Sequence, residues 1–285
     1  MTIFNLGSIN ADMFYAVPHL PGAGETLAAT SHFTGLGGKG ANMSVAAARA
    51  GAEVVHIGAV GSDGNWAVDR LAADGINIGG IAQSDDPTGH AIITVDAQGE
   101  NAIVLFPGAN TTLSKNTVRD ALSTARTGDL FVSQNETNLQ AFSAEIGSKM
   151  GLRIAYAAAP FDADAVQAVL PYLDLLILNE VEANQLSAAL GVAVDDLPIE
   201  DIVVTLGAKG CRWKNRTAGH TEFIPAPAVN AVDTTGAGDT FTGYLLAGID
   251  TGLPMQQALT RATKAAALMV TRHGTADVIP KLSEL

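Results

Sequence analysis

Short apolar runs of strand length alternate along this chain with longer segments in which apolar residues recur at the period of a helix. Continuous apolar runs are typical of parallel strands covered on both faces. Six such runs predict buried strands: Ile3–Leu6, Val54–Ile57, Leu130–Val132, Ile154–Ala157, Leu175–Leu178 and Ile202–Leu206. The helical period predicts seven helices: Ala41–Ala50, Asn65–Ala73, Lys115–Thr124, Leu139–Met150, Glu180–Leu190, Ala237–Ile249 and Met255–Thr271.

This alternation predicts an α/β fold, a three-layer α/β/α sandwich with a mostly parallel central sheet. Two stretches interrupt it, at about 13–34 and 88–106, where polar and apolar residues alternate as in short antiparallel strands. Turns are expected at Pro21-Gly22 and Gln98-Gly99. We interpret these strands as a small lid that keeps water from a site, with ordinary edge hairpins as the alternative. No linker divides residues 1–285, which predicts a single domain.

Composition and charge narrow the class of protein. The 285 residues are 47% hydrophobic, enough for a large core, and the net charge of −13 argues against nucleic acid or an anionic membrane as partner. The single cysteine, Cys211, excludes an internal disulfide and suggests a reducing compartment. Residues 1–14 contain no Lys or Arg, unlike a signal peptide, and no apolar run approaches the ~20 residues of a membrane span. We expect a cytoplasmic protein.

The segment Asp233-Thr234-Thr235-Gly236-Ala237-Gly238-Asp239 carries the clearest chemistry. It leads directly into a predicted helix, and a helix that begins in small residues presents free N–H groups to a phosphate. Asp239 would then lie beside that phosphate, where it could take a proton from an attacking hydroxyl group. An aspartate that only caps its own helix is the alternative.

A second glycine-rich segment runs from Gly35 to Asn42 and formally contains G-x-G-x-x-G. A dinucleotide-binding loop should follow the first strand directly, with an acid about 20 residues further on, and neither condition is met. Lys39 is followed by Gly40, so the segment is not a P-loop either. A glycine turn with one ammonium and one amide, from Lys39 and Asn42, suits a polyhydroxylated ligand, whereas a tight turn with a surface lysine is the alternative.

Polar residues also follow the predicted strands, at the edge where α/β proteins bind ligands. Asn10 and Asp12 are expected to end the first strand, with a short Asx turn as the alternative. Three further clusters follow later strands: Gln134-Asn135-Glu136, Asn179-Glu180-Val181-Glu182 and Thr205-Leu206-Gly207-Ala208-Lys209-Gly210. The six histidines show no metal-binding spacing, and there is no G-x-S-x-G motif.

Taken together, these motifs resemble the ribokinase branch of the PfkB carbohydrate kinase family. The resemblance rests on Gly7–Asp12, Gly37–Asn42, Asn179 with Glu182, Thr205–Gly210 and Asp233–Asp239, in this order, and spans nearly the whole chain. It implies a ribokinase-like fold and transfer of the γ-phosphoryl group of ATP to a small sugar, with ribose favoured. It also implies Mg²⁺, possible K⁺ activation and a homodimer formed through the lid.

The resemblance assigns roles to matching residues. It makes Asp239 the catalytic base and Gly236, Ala237 and Gly238 the anion hole. The implied sugar site consists of Asn10, Asp12, Gly38, Lys39, Asn42, Glu136 and Asp239. The implied nucleotide site consists of Asn179, Thr205, Gly207, Gly210 and Gly238, with Glu182 holding Mg²⁺ through water. Asp233, the Thr235 carbonyl group, Arg272 and Gly274 fall at a monovalent-cation loop.

Two departures from the family pattern and three rival functions remain at this stage. Val278 stands where a polar residue is usual, which puts potassium activation in doubt, and the stretch from Gly191 to Glu200 is too short for a helix usual there. The rivals are a kinase for fructose, a sugar phosphate or a nucleoside, a non-catalytic sugar or nucleotide sensor, and an NAD-linked oxidoreductase. The 5% aromatic content speaks against a nucleoside site, which needs an apolar shelf for the base.

Overall fold

The computed structural model describes residues 1–285, which form thirteen strands and eight α-helices. The strands are β1 Thr2–Leu6, β2 Asn10–Ala16, β3 Ser31–Gly37, β4 Glu53–Val60, β5 Asn77–Gln83, β6 Gly89–Val95, β7 Asn101–Phe106, β8 Leu130–Ser133, β9 Arg153–Ala157, β10 Leu175–Asn179, β11 Asp201–Thr205, β12 Gly210–Asn215 and β13 His220–Pro225. The helices are α1 Lys39–Arg49, α2 Asn65–Ala73, α3 Lys115–Leu122, α4 Gln140–Lys149, α5 Ala163–Val169, α6 Glu180–Leu190, α7 Ala237–Asp250 and α8 Met255–Met269.

Nine strands form the main sheet in the order β13-β12-β11-β10-β9-β8-β1-β4-β5. The strands from β11 to β5 are parallel, and β12 and β13 continue the sheet as an antiparallel hairpin. This arrangement confirms the predicted α/β fold with its mostly parallel sheet.

Alternation along each strand divides the core between the two faces of the sheet. Ile3 packs in a cluster of 34 buried residues with α1, α2, α7 and α8, whereas its neighbour Phe4 packs in a cluster of 27 with α3 to α6. Successive side chains of a strand point to opposite faces, so a strand buried on both sides is apolar at most positions. This is why the six predicted strands read as continuous runs.

A second sheet, the lid sheet, contains β2, β3, β6 and β7 in the order β3-β2-β6-β7. The strands predicted within 13–34 and 88–106 are present, but they are not all antiparallel, because β2 pairs with β6 in parallel register. The sequence-based expectation that Asn10 and Asp12 end the first strand is wrong, because a separate lid strand, β2, begins at Asn10 and contains both residues. Strand β1 already ends at Leu6.

The sequence pattern missed four elements: β5, α5 and the hairpin strands β12 and β13. Strand β5 is interrupted by Gly79-Gly80, and β12 carries Arg212 and Lys214, so neither contains a continuous apolar run. The short stretch after Gly191 forms only a single 3₁₀ turn, Val194–Asp196, as its length predicted. None of the eight helices combines the length and the apolar character that crossing a bilayer requires.

Candidate active site

Asp239 lies in the first turn of α7 and is buried, with 6% of its surface exposed. Asn42 of α1 donates a hydrogen bond from Nδ2 to its Oδ2 oxygen at 2.9 Å. The two helices approach closely because Gly243 has no side chain, and a Cβ atom there would lie only 2.6 Å from the Met43 carbonyl oxygen. Helix packing therefore fixes the direction of the Asp239 carboxylate.

The turn before Asp239 leaves main-chain donors free. Gly236 precedes α7 in the left-handed region, at φ 75°, which glycine adopts without strain. The N–H groups of Gly236, Gly238 and Asp239 have no acceptor within the chain, whereas that of Ala237 donates to the Thr234 carbonyl oxygen at 3.3 Å. Free N–H groups at a helix N-terminus attract an anion, so the turn is suited to a phosphate.

The glycine-rich segment forms the end of lid strand β3 and the start of α1, with Gly38 between them at φ 90°. A dinucleotide-binding loop would instead follow β1, so this segment is not one. Gly40 lies against Gly7 so closely that a Cβ atom on either residue would overlap the main chain of the other. This contact brings the α1 N-terminus, and with it Lys39, over the end of β1.

Glu136 follows β8 and joins that strand end to the glycine turn. Its Oε2 oxygen accepts a hydrogen bond from the Lys39 main-chain N–H at 3.0 Å and a second bond from the Ser8 hydroxyl group. Strands β8 and β1 are parallel neighbours, with Ser133 opposite Leu6, so their carboxyl ends meet at the same edge of the sheet. Glu136 therefore holds the turn at this edge.

The pKa values of the charged side chains around the glycine turn are shifted by burial and by one another. Burial, followed by the Glu136 and Asp239 carboxylates, raises the pKa of Asp12 to about 7. The Asp239 carboxylate, with help from Glu136, raises the pKa of Lys39 despite the burial of the ammonium group. A carboxylate that is costly to ionise beside a firmly charged lysine is typical of a functional site.

Asn10 is buried on the lid strand β2, and only the oxygen of its carboxamide has a hydrogen-bond partner in the protein. Its Oδ1 oxygen accepts a hydrogen bond from Asn110 Nδ2 at 2.7 Å, whereas its Nδ2 nitrogen has no protein acceptor. Asn10 and Asp12 are two residues apart on a strand and share one face of the lid. The Nδ2 group of Asn10 and the carboxylate of Asp12 thus offer a donor and an acceptor side by side.

Two cavities meet at the α7 N-terminus. The polar cavity, of about 230 Å³, is lined by Lys39, Asn179, Glu182, Gly236 and Asp239, among others. The apolar cavity, of about 430 Å³, is lined mainly by small and aliphatic residues and includes Gly207, Gly210 and Phe241. Thr205, Thr234 and Gly238 line both cavities, so the two lie side by side. A flat apolar group could lie in one while a charged group attached to it reaches Asp239 in the other.

Glu182 reaches the polar cavity from α6, which begins with a reciprocal capping arrangement. Asn179 accepts a hydrogen bond from the Glu182 N–H at 2.9 Å, and Glu182 Oε2 accepts one from the Asn179 N–H at 2.8 Å. Burial raises the pKa of Glu182. Its second oxygen accepts no hydrogen bond within the chain and is available to a cation.

Asp233 links the segment before α7 to the segment after α8. Its two oxygens accept hydrogen bonds from the N–H groups of Thr235, at 2.9 Å, and Gly274, at 3.2 Å. The Arg272 side chain turns away and pairs with Glu284 at 2.6 Å, so only its carbonyl group could face a cation in this loop. No group of three or more His, Cys, Asp or Glu side chains in the chain could hold a metal ion.

Sequence reasoning missed several buried polar residues behind the site. Asn5 donates from Nδ2 to the Gly40 carbonyl oxygen and to Ser44 Oγ, both at 2.8 Å. Ser44 in turn pairs with His56, which is fully buried, and burial lowers the pKa of His56 to about 4. Polar residues inside apolar runs were the available signal, since Asn5 and His56 both interrupt predicted strands. Asn110 was missed as well.

Comparisons with known proteins agree with this geometry. The pattern of the pfkB family carbohydrate kinase matches residues 2–282. The chain is 36% identical to the ribokinase of Haemophilus influenzae, over 99% of this chain and 96% of that protein. Its fold matches the ribokinase of Cryptococcus neoformans var. grubii in complex with ADP, with a TM-score of 0.82, 32% identity and coverage of 99% and 97%.

A second solved structure, Arabidopsis thaliana ribokinase complexed with ribose and ATP, matches with a TM-score of 0.83 at 26% identity, over 99% of this chain and 96% of that one. These matches extend over nearly the full length of the chain, in sequence and in fold. The chain therefore belongs to the pfkB family of carbohydrate kinases.

Proposed function

We propose that this protein transfers the γ-phosphoryl group of ATP to a hydroxyl group of ribose. The observation that carries the proposal is the buried Asp239 carboxylate beside the free N–H groups of the Gly236 turn, where the polar and apolar cavities meet. Phosphoryl transfer depends mainly on positioning and on charge stabilisation, and this junction offers both. The relatives named ribokinase supply the choice of ribose.

Asp239 acts as the general base in this proposal. Its carboxylate is placed to accept the proton of the attacking hydroxyl group. The N–H groups of Gly236 and Gly238, together with the more weakly available N–H of Ala237, meet the negative charge that develops on the transferring group. Closure of the lid sheet keeps water from replacing the sugar as nucleophile.

The sugar is assigned to the space between the lid sheet and the α1 N-terminus. Carboxylate, amide and ammonium groups there match a ligand with many hydroxyl groups. The proposed contacts are Asn10, Asp12, Gly38, Lys39, Asn42, Glu136 and Asp239. Two groups support this assignment: the buried Asn42 Oδ1 has no protein partner, and Asn10 Nδ2 has no protein acceptor and is open to the space beside the lid.

The nucleotide is assigned to the two cavities. The apolar cavity takes the adenine base. Its wall includes Thr205, Gly207 and Gly210, whose small size leaves room for the ribose and phosphates of the nucleotide. Asn179 and Gly238 continue this wall into the polar cavity. The whole chain, residues 1–285, forms the proposed catalytic unit, with the lid contributed by strands within about 13–34 and 88–106.

The polar cavity offers few protein ligands to Mg²⁺, so the ion would be bound mainly by the phosphates of the nucleotide. Glu182 is the single carboxylate aimed from α6 into the polar cavity, with one oxygen already used by the cap. Mg²⁺ characteristically keeps several waters and binds one or two carboxylates together with substrate phosphates. Glu182 would therefore hold it through water, and the metal would supply charge neutralisation on the phosphates.

A monovalent-cation site at Asp233, the Thr235 carbonyl, Arg272 and Gly274 is also proposed, with weak activation by K⁺. Both Asp233 oxygens already accept main-chain hydrogen bonds, and Val278 offers no polar side chain to the loop. Rates of ADP release in potassium chloride and in tetramethylammonium chloride of equal ionic strength measure this activation.

A homodimer formed through the lid sheet is the proposed assembly. Every residue of the edge strand β7 is exposed, including Ile103, Val104, Leu105 and Phe106. Phe33 on the opposite edge strand, β3, is exposed as well. An exposed apolar edge is a liability for a monomer, and pairing with a second lid would cover it.

The test is a coupled assay of ADP release with ATP and Mg²⁺ across ribose, 2-deoxyribose, fructose, sugar phosphates and nucleosides. We expect ribose to give the highest kcat/KM and NAD to give no thermal stabilisation. A higher kcat/KM with another acceptor would replace ribose by that acceptor. Binding of sugar and ATP without any release of ADP would favour the alternative function, a non-catalytic sensor of sugar or nucleotide.

A further inference from the structure

Asn110 is a buried side chain, 1% exposed, at the junction between the lid sheet and the main sheet. It lies in the 3₁₀ turn Gly108–Thr111, shortly after lid strand β7. Its Oδ1 oxygen accepts a hydrogen bond from the Ile9 main-chain N–H at 2.8 Å, and its Nδ2 nitrogen donates to Asn10 Oδ1 at 2.7 Å. Asn110 thus binds both residues where lid strand β2 begins.

These two bonds determine which way the Asn10 carboxamide faces. A main-chain N–H can only donate, so the atom of Asn110 beside Ile9 must be its oxygen. The other atom of Asn110 is then its NH₂ group, and the atom of Asn10 facing it must be the acceptor oxygen. The Ile9 N–H thus fixes the orientation of the Asn110 carboxamide, and Asn110 in turn fixes that of Asn10. Turning either carboxamide over would place two donors or two acceptors face to face.

The result is a donor with nothing in the protein to receive it. The Asn10 NH₂ group lies on a residue that is 2% exposed and has no protein partner. The nitrogen itself is not enclosed by the protein, so another molecule can approach it and accept its hydrogen bond. Asp12 lies on the same face of β2, so this NH₂ group points to a ligand that also meets the Asp12 carboxylate.

Gly89, the first residue of β6, lies opposite Asn10 and keeps the space for this pair. A Cβ atom at Gly89 would overlap Asn110 Nδ2 and lie 2.5 Å from Asn10 Oδ1. The sequence therefore reserves a position on the neighbouring strand for the hydrogen bond between two asparagines. The Pro107 carbonyl oxygen, 2.8 Å from the same Cβ position, opposes a larger residue there as well.

We propose that Asn110 is a positioning residue that sets the polarity of the sugar site: it turns the Asn10 carboxamide so that its NH₂ group, and not its oxygen, faces the substrate. The site consequently selects an oxygen that can accept a hydrogen bond at this point. The inference rests on the proposed sugar kinase function and adds to it a residue that does not touch the sugar.

Asn110→Asp tests the polarity with little change in shape. One carboxylate oxygen still accepts from the Ile9 N–H, but the other now faces the Asn10 oxygen, so the Asn10 carboxamide must turn over and present its oxygen to the sugar. We expect the KM for ribose to rise ~10- to 100-fold, as for a lost buried hydrogen bond. The KM for ATP should not change, and kcat should change by less than ~3-fold.

A double-mutant cycle tests whether Asn110 acts through Asn10. Asn10→Ala removes the group that Asn110 positions, so Asn110→Ser should raise the KM for ribose in the wild-type background and have little further effect in the Asn10→Ala background. Additive effects of the two changes would overturn the inference. Asn110→Ser also decides the question if Asn110→Asp does not fold, as judged by its thermal transition.

Asn77→Asp on the exposed start of β5 is the matched control, because it adds the same charge and keeps the oxygen that accepts from the Gly79 N–H. It should leave both KM values unchanged. A parallel rise of the KM for ribose and for ATP in Asn110→Asp would also overturn the inference, since it indicates general damage. Absence of sugar-dependent ADP release from the wild-type protein would overturn the proposed function itself, which distinguishes the two failures.

Discussion

Asn42 Nδ2 lies 2.9 Å from Asp239 Oδ2, so a hydrogen bond joins the first turn of α1 to the first turn of α7. Lys39 begins α1, less than one turn before Asn42, so the same bond ties the Asp239 carboxylate to the segment that presents the lysine. The close packing of the two helices at Gly243 keeps this distance short. The proposed base is therefore positioned by two helices of the main fold, and lid movement need not disturb it.

Asp239→Asn removes the proposed base and keeps the shape of the side chain. We expect kcat to fall by ~10²-fold or more, because no other group replaces the lost proton acceptor, while ATP affinity measured by calorimetry stays the same. Asp250→Asn, at the far end of the same helix, is the control and should keep wild-type kcat. A kcat for Asp239→Asn within a few-fold of the wild type would remove Asp239 from the chemistry.

Asn42→Ala frees the Asp239 carboxylate to take other directions. We expect kcat to fall by ~10-fold, as for the loss of a hydrogen bond to a charged group, with a smaller change than Asp239→Asn produces. In the Asp239→Asn background the same change should have almost no effect on kcat, since the group to be positioned is no longer a base. Steady-state kinetics of the four proteins measure this, and equal losses in both backgrounds would contradict positioning.

Asp12 gives sugar binding a pH dependence near neutrality. Burial, then the Glu136 and Asp239 carboxylates, raises the pKa of Asp12 to about 7, so its ability to accept hydrogen bonds from the sugar is lost below that pH. We expect the KM for ribose to rise ~10-fold as the pH is lowered from about 8 to about 6. Asp12→Asn should have a high KM that does not vary over this range, and a KM for ATP like that of the wild type.

The same shift affects stability without ligand. Because the folded-state pKa of Asp12, about 7, lies above its ordinary value of 3.8, the folded state holds this proton more tightly. Stability from this source is fully present below the ordinary value and is lost as the pH rises through about 7. The Tm of Asp12→Asn should therefore exceed that of the wild type by an amount that grows from pH ~4 to pH ~8, reaching several °C. A constant difference across this range would contradict the shift.

Two glycines on β3 provide a matched pair for the geometry of Asp12. A Cβ atom at Gly37 would overlap the Asp12 carboxylate, whereas one at Gly35 would meet nothing closer than 3.9 Å. Gly37→Ala should displace Asp12 and raise the KM for ribose by ~10-fold or more, with little change in the KM for ATP. Gly35→Ala, two residues earlier, should have a much smaller effect. Equal effects of the two substitutions would indicate that the lid responds to any added methyl group.

The sequence predicted the parallel strands and the helices well because two-sided burial leaves an unambiguous signal. Ile3 and Phe4 pack on opposite faces of the sheet and both are apolar, and most positions of the central strands follow the same rule. The hairpin β12–β13 has no such signal, because it lies at the edge of the sheet and carries Arg212 and Lys214. Edge strands need tertiary partners to be recognised.

Candidate site residues can be proposed from the sequence where they belong to a motif along the chain, as Lys39, Asn42 and Asp239 do. Asn110 was not found, because its role depends on Ile9 and Asn10, about 100 residues earlier, and no local pattern records a contact between such distant residues. The placement of Asn10 and Asp12 on the lid was missed for a related reason. Polar residues after a strand look alike whether the chain turns or begins another strand.

Val104 is 66% exposed and lies on β7, an edge strand in which every residue is exposed. If two lids pair at this edge, Val104→Asp places a charge in the contact and should convert the dimer into a monomer in sedimentation velocity at micromolar concentration. Val192→Asp is the matched control, since Val192 is an exposed valine outside the lid, and it should remain a dimer. A wild-type protein that sediments as a monomer would dismiss the dimer, and a Val104→Asp dimer would place the interface elsewhere.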